Sequence, residues 1–366
     1  MGILKKKPKY YTLDNILKQQ AQYNIIFGER SNGKTYASLD YGVRNYFEGK
    51  GKMALIRRWR EDFKGKRGQS YFEALVSNGL IDKYSKGLWS GVYYYSGRWY
   101  FSRLGEDGKI EREEEPFCYA FSITEMEHDK SSSFPDVTTI IFDEFLTRGY
   151  YLPDEFVSFM NCISTIVRDR TNVKIFMLGN TVNKYCPYFN EMGLNHIKEM
   201  KQGDIEVYNY GESGLRVAVE YSDFPGKAKG SDLYFAFDNP KLKMITNGVW
   251  EVDIYPHLPR KYKPKDIAFD YFIEFDGQKL HCEIVYLDDF AFTFIHLRTT
   301  EIRDRENAFI FSPDYSPYPH HKRNILKPTT ETEKKIYMFF RNEKVYYQNN
   351  EVGEIVRNYL NWCKSN

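Results

Sequence analysis

The chain has 366 residues, 42% of them hydrophobic and 28% charged, with a formal net charge of +2; these values describe a globular protein with room for two domains. So even a balance excludes a polycation that coats nucleic acid over its whole surface. Such contacts must come from local patches, for which residues 5–9, 57–67 and 260–265 are the basic candidates. Five cysteines without a CxxC pair argue against a disulfide framework. No signal peptide or long apolar stretch is visible, and the expectation is a reduced, cytoplasmic protein.

In chain order, residues 12–17 predict a capped turn of helix. Tyr10 and Tyr11 before it could stack on an adenine or pack against the fold, and packing is slightly favoured. An apolar run at 23–27 then reads as a strand leading into Gly28-Glu29-Arg30-Ser31-Asn32-Gly33-Lys34-Thr35. This is G-x-x-x-x-G-K-T, the phosphate-binding loop or Walker A motif. Glycines let the backbone wrap a phosphate with consecutive N–H groups pointing inward, and a helix starting near Gly33 adds the positive end of its dipole. Lys34 is positioned to reach the β- and γ-phosphates of ATP, and the Thr35 hydroxyl to ligate Mg²⁺.

Helical spacing continues over 36–48, and a buried strand at 53–56 runs into Arg57-Arg58-Trp59-Arg60. A helix with a connector extends to about Lys86. Alternating aromatics at 91–103 around Ser96-Gly97 predict a hairpin. A second turn at 105–108, a solvated acidic run at 111–115 and a strand at 116–124 follow. Residues 136–144 form an apolar strand ending in two carboxylates, the Walker B pattern. Asp143 would hold Mg²⁺ through water, and Glu144, facing the other way, would polarise the attacking water. A helix over 153–167 and a buried strand over 173–178 come next. At the tip of that strand Asn180 is either a γ-phosphate sensor or a turn residue.

This order predicts an α/β P-loop NTPase domain over 1–222, a parallel sheet with flanking helices and its ligand at the carboxyl ends of the strands. Pro, Gly and Lys mark 223–265 as a linker. Antiparallel strands at 269–275, 280–287 and 290–297, then helices at 331–340 and 351–363, predict a smaller α+β domain over 266–366. The carboxylates Asp270, Glu274, Asp276, Glu283, Asp288 and Asp289 show no metal-binding spacing there, and His281, His320 and His321 add none.

Four stretches carry a family resemblance: GERSNGKT, ALIRRWR, HDKSSSFPDVTTIIFDEF and STIVRDRTNVKIFMLGNTVNKYCPYF. Over about the first 200 residues the chain resembles the DNA-packaging ATPases of small short-tailed phages, the phi-29-type branch of the terminase-like viral packaging motors. The resemblance implies an ASCE-type ATPase sheet followed by an RNase H-like domain without nuclease activity, used for docking. It implies a homo-oligomeric ring, taken as a pentamer, at the portal vertex of a procapsid in the infected host cell. The ring pulls double-stranded DNA through its channel. Partners are DNA, the portal or procapsid, and as a further candidate a packaging RNA, with no membrane.

By position in the matching runs, Arg168 is the trans-acting finger, with Arg170 as runner-up, and Lys130 is a second basic group acting across the interface. Arg58 and Arg60 match the groups that face DNA phosphates in the pore. Arg57 is a candidate for holding Glu144 away from nucleotide in a resting state. Two other readings stay open. One is another loop NTPase, such as a helicase or a small-molecule kinase; the other is a non-catalytic nucleotide-binding scaffold.

Overall fold

The computed structural model describes residues 10–128, 134–223, 250, 253–258, 261–288 and 290–366. The chain divides into two compact units. The first draws on Met1–Thr147, Asp154–Lys184 and Glu191–Trp250; the second on Arg148–Pro153, Tyr185–Asn190 and Glu251–Asn366. Among the described residues no helix is long and apolar enough to cross a membrane.

The first unit opens with α1 (Asp14–Leu17), β1 (Tyr23–Gly28), α2 (Lys34–Phe47) and β2 (Lys52–Arg57). The expected helix before residue 86 is three short ones, α3 (Lys66–Ser70), α4 (Glu73–Ser77) and α5 (Leu80–Ser85). Gly65 and Gly79, both at positive φ, immediately precede α3 and α5 and break the run. The hairpin is β3 (Gly91–Tyr95) and β4 (Arg98–Leu104), extended by β5 (Ile110–Arg112). Then come β6 (Cys118–Ser122), β7 (Val137–Asp143), α6 (Glu155–Val167) and β8 (Lys174–Asn180), with β9 (Ile205–Tyr210) and β10 (Leu215–Ser222) closing the unit. Helix α6 starts two residues later than the pattern suggests, because Asp154 takes a left-handed conformation at φ +47°.

These strands form a ten-stranded sheet in the order β3-β4-β6-β2-β7-β8-β1-β10-β9, with β5 paired to β4. The central strands from β6 to β10 are all parallel. Ile25, Ile26 and Phe27 are fully buried, as are Ile140, Ile141 and Phe142. Apolar runs covered on both faces are the signature of such a sheet. On one face Leu39 and Val43 of α2 pack with Ile26, Leu55, Phe176 and Leu178. On α6, Phe159 stacks on Phe142 at 4.9 Å between centroids. Because neighbouring strands run the same way, Gly28 pairs with both Asn180 and Ser222, and Asp143 pairs with Leu178. The carboxyl ends of β1, β7, β8 and β10 therefore meet at one sheet edge.

The second unit begins with α7 (Pro187–Glu191) and continues through β11 (Ile267–Phe275), β12 (Gln278–Leu287) and β13 (Phe290–Leu297). The short strands β14 (Ile310–Phe311), β15 (His321–Lys322) and β16 (Val345–Tyr347) alternate with α8 (Glu331–Arg341) and precede α9 (Asn350–Ser365). The sheet order is β15-β14-β11-β12-β13-β16. An antiparallel meander carries parallel strands on both flanks. Ile336 of α8 and Val352, Ile355 and Tyr359 of α9 bury against Tyr271, Leu280, Cys282 and Ile295.

The boundaries differ from those expected. Residues 148–153 belong with the second unit: Arg148 bridges Asp253 at 2.7 Å and Glu354 at 3.2 Å, and Ser365 donates to the Tyr151 carbonyl at 3.0 Å. Tyr185 is part of the same core. Trp250, within the expected linker, packs on Phe27 of the first unit at 5.2 Å. Residues 5–9 and Arg260 of the basic patches lie outside the described residues.

Candidate nucleotide site

The loop after β1 is built around two glycines. Gly28 has φ +158°, and a Cβ there would meet the Ser222 Oγ at 2.2 Å, so β10 closes directly on the loop. Gly33 has φ +99° and caps the start of α2 in the left-handed region, where only glycine is unstrained. Ser31 is also left-handed, at φ +58°. The loop is braced from a distant strand: Asn32 Nδ2 donates to Ser222 Oγ at 3.0 Å, and Ser222 Oγ donates to the Phe27 carbonyl at 3.1 Å. Tyr11 N donates to the Asn32 carbonyl at 2.9 Å. Sequence reasoning missed Ser222, because nothing local marks the end of β10 as part of a loop that lies so far upstream.

Inside the turn, Lys34 is 5% exposed. Its Nζ donates to the Glu29 carbonyl at 2.6 Å, to Asn32 Oδ1 at 3.1 Å and to Asn180 Oδ1 at 3.4 Å. All three acceptors are uncharged. Burial pulls its pKa down to about 8, against the opposing pull of Asp143 and Glu29. Thr35 Oγ1 donates to Asp143 Oδ1 at 3.1 Å, and the Glu144 N–H donates to the same oxygen at 3.1 Å. Burial raises the Asp143 pKa, opposed by Arg57. Glu144, just past β7, takes φ +58° and turns its side chain to Arg57, whose Nη2 is 2.7 Å from Oε2.

These groups enclose a cavity of about 440 Å³ lined by residues 30–36, Asp143, Glu144 and 178–180. Arg30, Ser31, Asn32, Gly33, Lys34, Thr35, Asp143, Glu144 and Asn180 thus converge as the motifs suggest. Gly28 and Glu29 shape the turn behind them. Oxygen donors on one wall and a lysine with helix N–H groups on the other suit a polyphosphate with a hard cation. Tyr11 is buried, its hydroxyl donating to Glu220 Oε2 at 2.6 Å, so it packs and does not stack on a base. Tyr10 is 51% exposed beside Gly33.

The remaining residues separate. Arg58 is not a DNA-facing group: it is 6% exposed, clasped by both Glu155 oxygens at 2.8 Å, with Nη2 donating to the Phe145 carbonyl at 2.8 Å. Arg60, two residues on, is exposed and pairs with Glu125 at 2.8 Å. Arg170 is not a candidate finger either. Its guanidinium is spent on the carbonyls of Phe134, Val137, Ile166 and Val167, tying the end of α6 to the start of β7. Arg168 stands exposed just past α6. Lys130 lies outside the described residues.

A family model described as Podovirus DNA encapsidation protein (Gp16) matches residues 5–210. The DNA packaging protein of Bacillus phage phi29 is 26% identical over 186 residues, covering 50% of each chain. The matched stretch thus spans about half the length of that relative. The DNA packaging protein of Bacillus phage B103 is 28% identical over 294 residues, 80% of this chain and 82% of its own. In fold, the chain is similar to a subunit of the bacteriophage Phi-29 viral genome packaging motor assembly, with a TM-score of 0.56 at 18% identity over 96% of this chain and 97% of that one. With more than half of its length matched by the family model, the chain belongs to the Podovirus DNA encapsidation protein (Gp16) family.

Proposed function

We propose that this chain is the ATPase subunit of a viral DNA-packaging motor, hydrolysing Mg-ATP at the subunit interfaces of a ring and moving double-stranded DNA into a procapsid. The observation that carries the reading is the Thr35–Asp143 pair, oxygens 3.1 Å apart at a cavity walled by the phosphate-binding loop. The relatives named DNA packaging proteins supply the substrate class. Mg²⁺ fits the hydroxyl and carboxylate donors, and when bound it would neutralise charge on the transferring phosphoryl group.

The chain's own residues do the rest. Lys34 exchanges its carbonyl and amide acceptors for phosphate oxygens. Glu144, released from Arg57, orients and polarises the attacking water. Asn180, at the tip of the strand between β1 and β7, contacts the γ-phosphate. Arg168 enters the neighbouring subunit's site, Lys130 assists there, and Arg60 touches DNA phosphates in the pore without reading sequence. The second unit serves as an RNase H-like docking module for portal, procapsid or a packaging RNA, at the portal vertex of the infected cell. In support, one candidate carboxylate is held away from metal binding: Arg305 clasps both Glu274 oxygens at 2.6 Å.

The test is turnover with and without duplex DNA. ATPase activity should rise with double-stranded DNA and fall by at least about a hundredfold in Lys34→Ala and Glu144→Gln, with no strand separation. A wild-type protein that binds ATP but never turns it over, across DNA and salt conditions, would falsify the motor in favour of a scaffold.

A further inference from the structure

On the outer face of the second sheet, away from α8 and α9, three potential ligands stand together. His281 and Glu283 alternate along β12, and His296 lies directly opposite His281 on β13. One donor atom from each falls within 4.8 Å of the other two. The spacing was invisible in the sequence because antiparallel pairing, not proximity along the chain, joins them.

The surroundings have the form of a metal site's outer shell. His296 Nδ1 faces the Leu297 carbonyl at 3.2 Å, which leaves Nε2 toward Glu283 Oε1 at 3.9 Å. Glu283 accepts from the Tyr262 hydroxyl through Oε2, which leaves Oε1 on the histidine side. His281 is oriented by Asp270, whose Oδ2 lies 3.0 Å from its Nε2. Aromatic rings fix both imidazoles: Phe272 stacks on His281 at 4.9 Å and Phe294 on His296 at 5.6 Å. The side chains of His281 and Glu283 are each 15% exposed and that of His296 is 29% exposed, enough for an ion to enter.

We infer that His281, Glu283 and His296 form a binding site for a divalent transition-metal ion of the zinc class. Two imidazoles and a carboxylate suit zinc or cobalt rather than magnesium. Three protein donors leave a fourth position for water or a partner's side chain, and the ion staples β12 to β13.

The experiment is titration of the full-length, chelator-treated protein with cobalt(II), read by its visible d–d absorption, with zinc competition. Intense tetrahedral-type bands displaced by zinc are expected, without the thiolate charge-transfer band that cysteine ligation would give. His296→Ala and Glu283→Gln should abolish the bands. Tyr262→Phe, which removes only the outer partner, should weaken binding by about tenfold while the fold stays intact by circular dichroism. Asp143→Asn, in the nucleotide site, should leave the bands unchanged. Bands absent from the wild type, surviving in His296→Ala, lost in Asp143→Asn, or carrying thiolate character each overturn the site.

Discussion

Arg57 Nη2 lies 2.7 Å from Glu144 Oε2, so the second Walker carboxylate is held by a cation at the end of the neighbouring strand. The same guanidinium reaches Asp143 at 3.3 Å and Asp62 at 3.2 Å. The Glu144 side chain is 60% exposed, which makes its ion pair weak, about 0.2–1 kcal/mol. Such a latch costs little to open. Arg57→Gln should raise basal ATP turnover up to about fivefold and shrink the stimulation by DNA correspondingly. Steady-state rates with and without duplex DNA check it; an equal fall in both would mean Arg57 acts in the transition state instead.

Arg58 and Arg60 are close in sequence and opposite in consequence. Arg58→Ala leaves Glu155 buried without its bidentate partner, a loss of about 3–5 kcal/mol. The variant should unfold at markedly lower temperature. Arg60→Ala disturbs an exposed pair and should leave the melting temperature nearly unchanged. If Arg60 meets a phosphate, the slope of log affinity against log salt should flatten by about one unit. An unchanged slope removes it from the pore.

That contrast marks the limit of what the sequence carries. The glycine loop and the strand ending in Asp143-Glu144 were legible because phosphate and metal chemistry fix residue type at short spacing. Arg58 could not be told from Arg60, since the difference is made by Glu155, 97 positions away. Ser222 braces Asn32 across 190 positions and belongs to β10, a strand that the character change after it obscured. β14, β15 and β16 are only two or three residues long, too short for any alternation to show. The meander β11–β13, with turns at Gly277 and around residue 288, was readable strand by strand.

Lys34 gives a pH signature. Burial lowers its pKa to about 8, against the opposing pull of the Asp143 and Glu29 carboxylates. A triphosphate raises it again. Above pH 8, binding must therefore take up a proton, and ATP affinity should fall by up to about tenfold per pH unit. Below pH 8, Lys34 adds no slope. Calorimetry at pH 9 in buffers of different ionisation enthalpy should detect the uptake, and Lys34→Arg should abolish it. Buffer-independent heats would show that the lysine is already fully charged.

Glu220 sits under the site, 6% exposed, accepting from Tyr11. Burial raises its pKa to about 7 despite that hydrogen bond. The native state thus keeps a proton that the unfolded chain gives up near 4.5. Its contribution is complete below 4.5 and is lost as pH rises through 7, so stability falls across that window. Glu220→Gln keeps an acceptor for Tyr11 and removes the charge. It should stabilise the protein by about 1–3 kcal/mol at pH 8 and have little effect near pH 4.5. Melting curves at the two pH values decide; equal shifts at both would remove ionisation from the explanation.

Arg168 offers a test in which activity and stability move apart. It follows α6 at φ +52° and ψ −124°, a region that suits glycine and costs other residues about 1–3 kcal/mol. Arg168→Gly should relieve that strain, so the melting temperature should hold or rise. If the guanidinium completes a neighbour's site, turnover in the same variant should drop by about a thousandfold or more. Mixed with wild type in equal amounts, one defective subunit would stall its ring. Activity would then fall to about 3% for a five-subunit ring, far below the half expected of independent sites. A linear fall with dose would assign Arg168 to its own subunit. Normal turnover in a more stable Arg168→Gly variant would leave the strained turn without a catalytic reason.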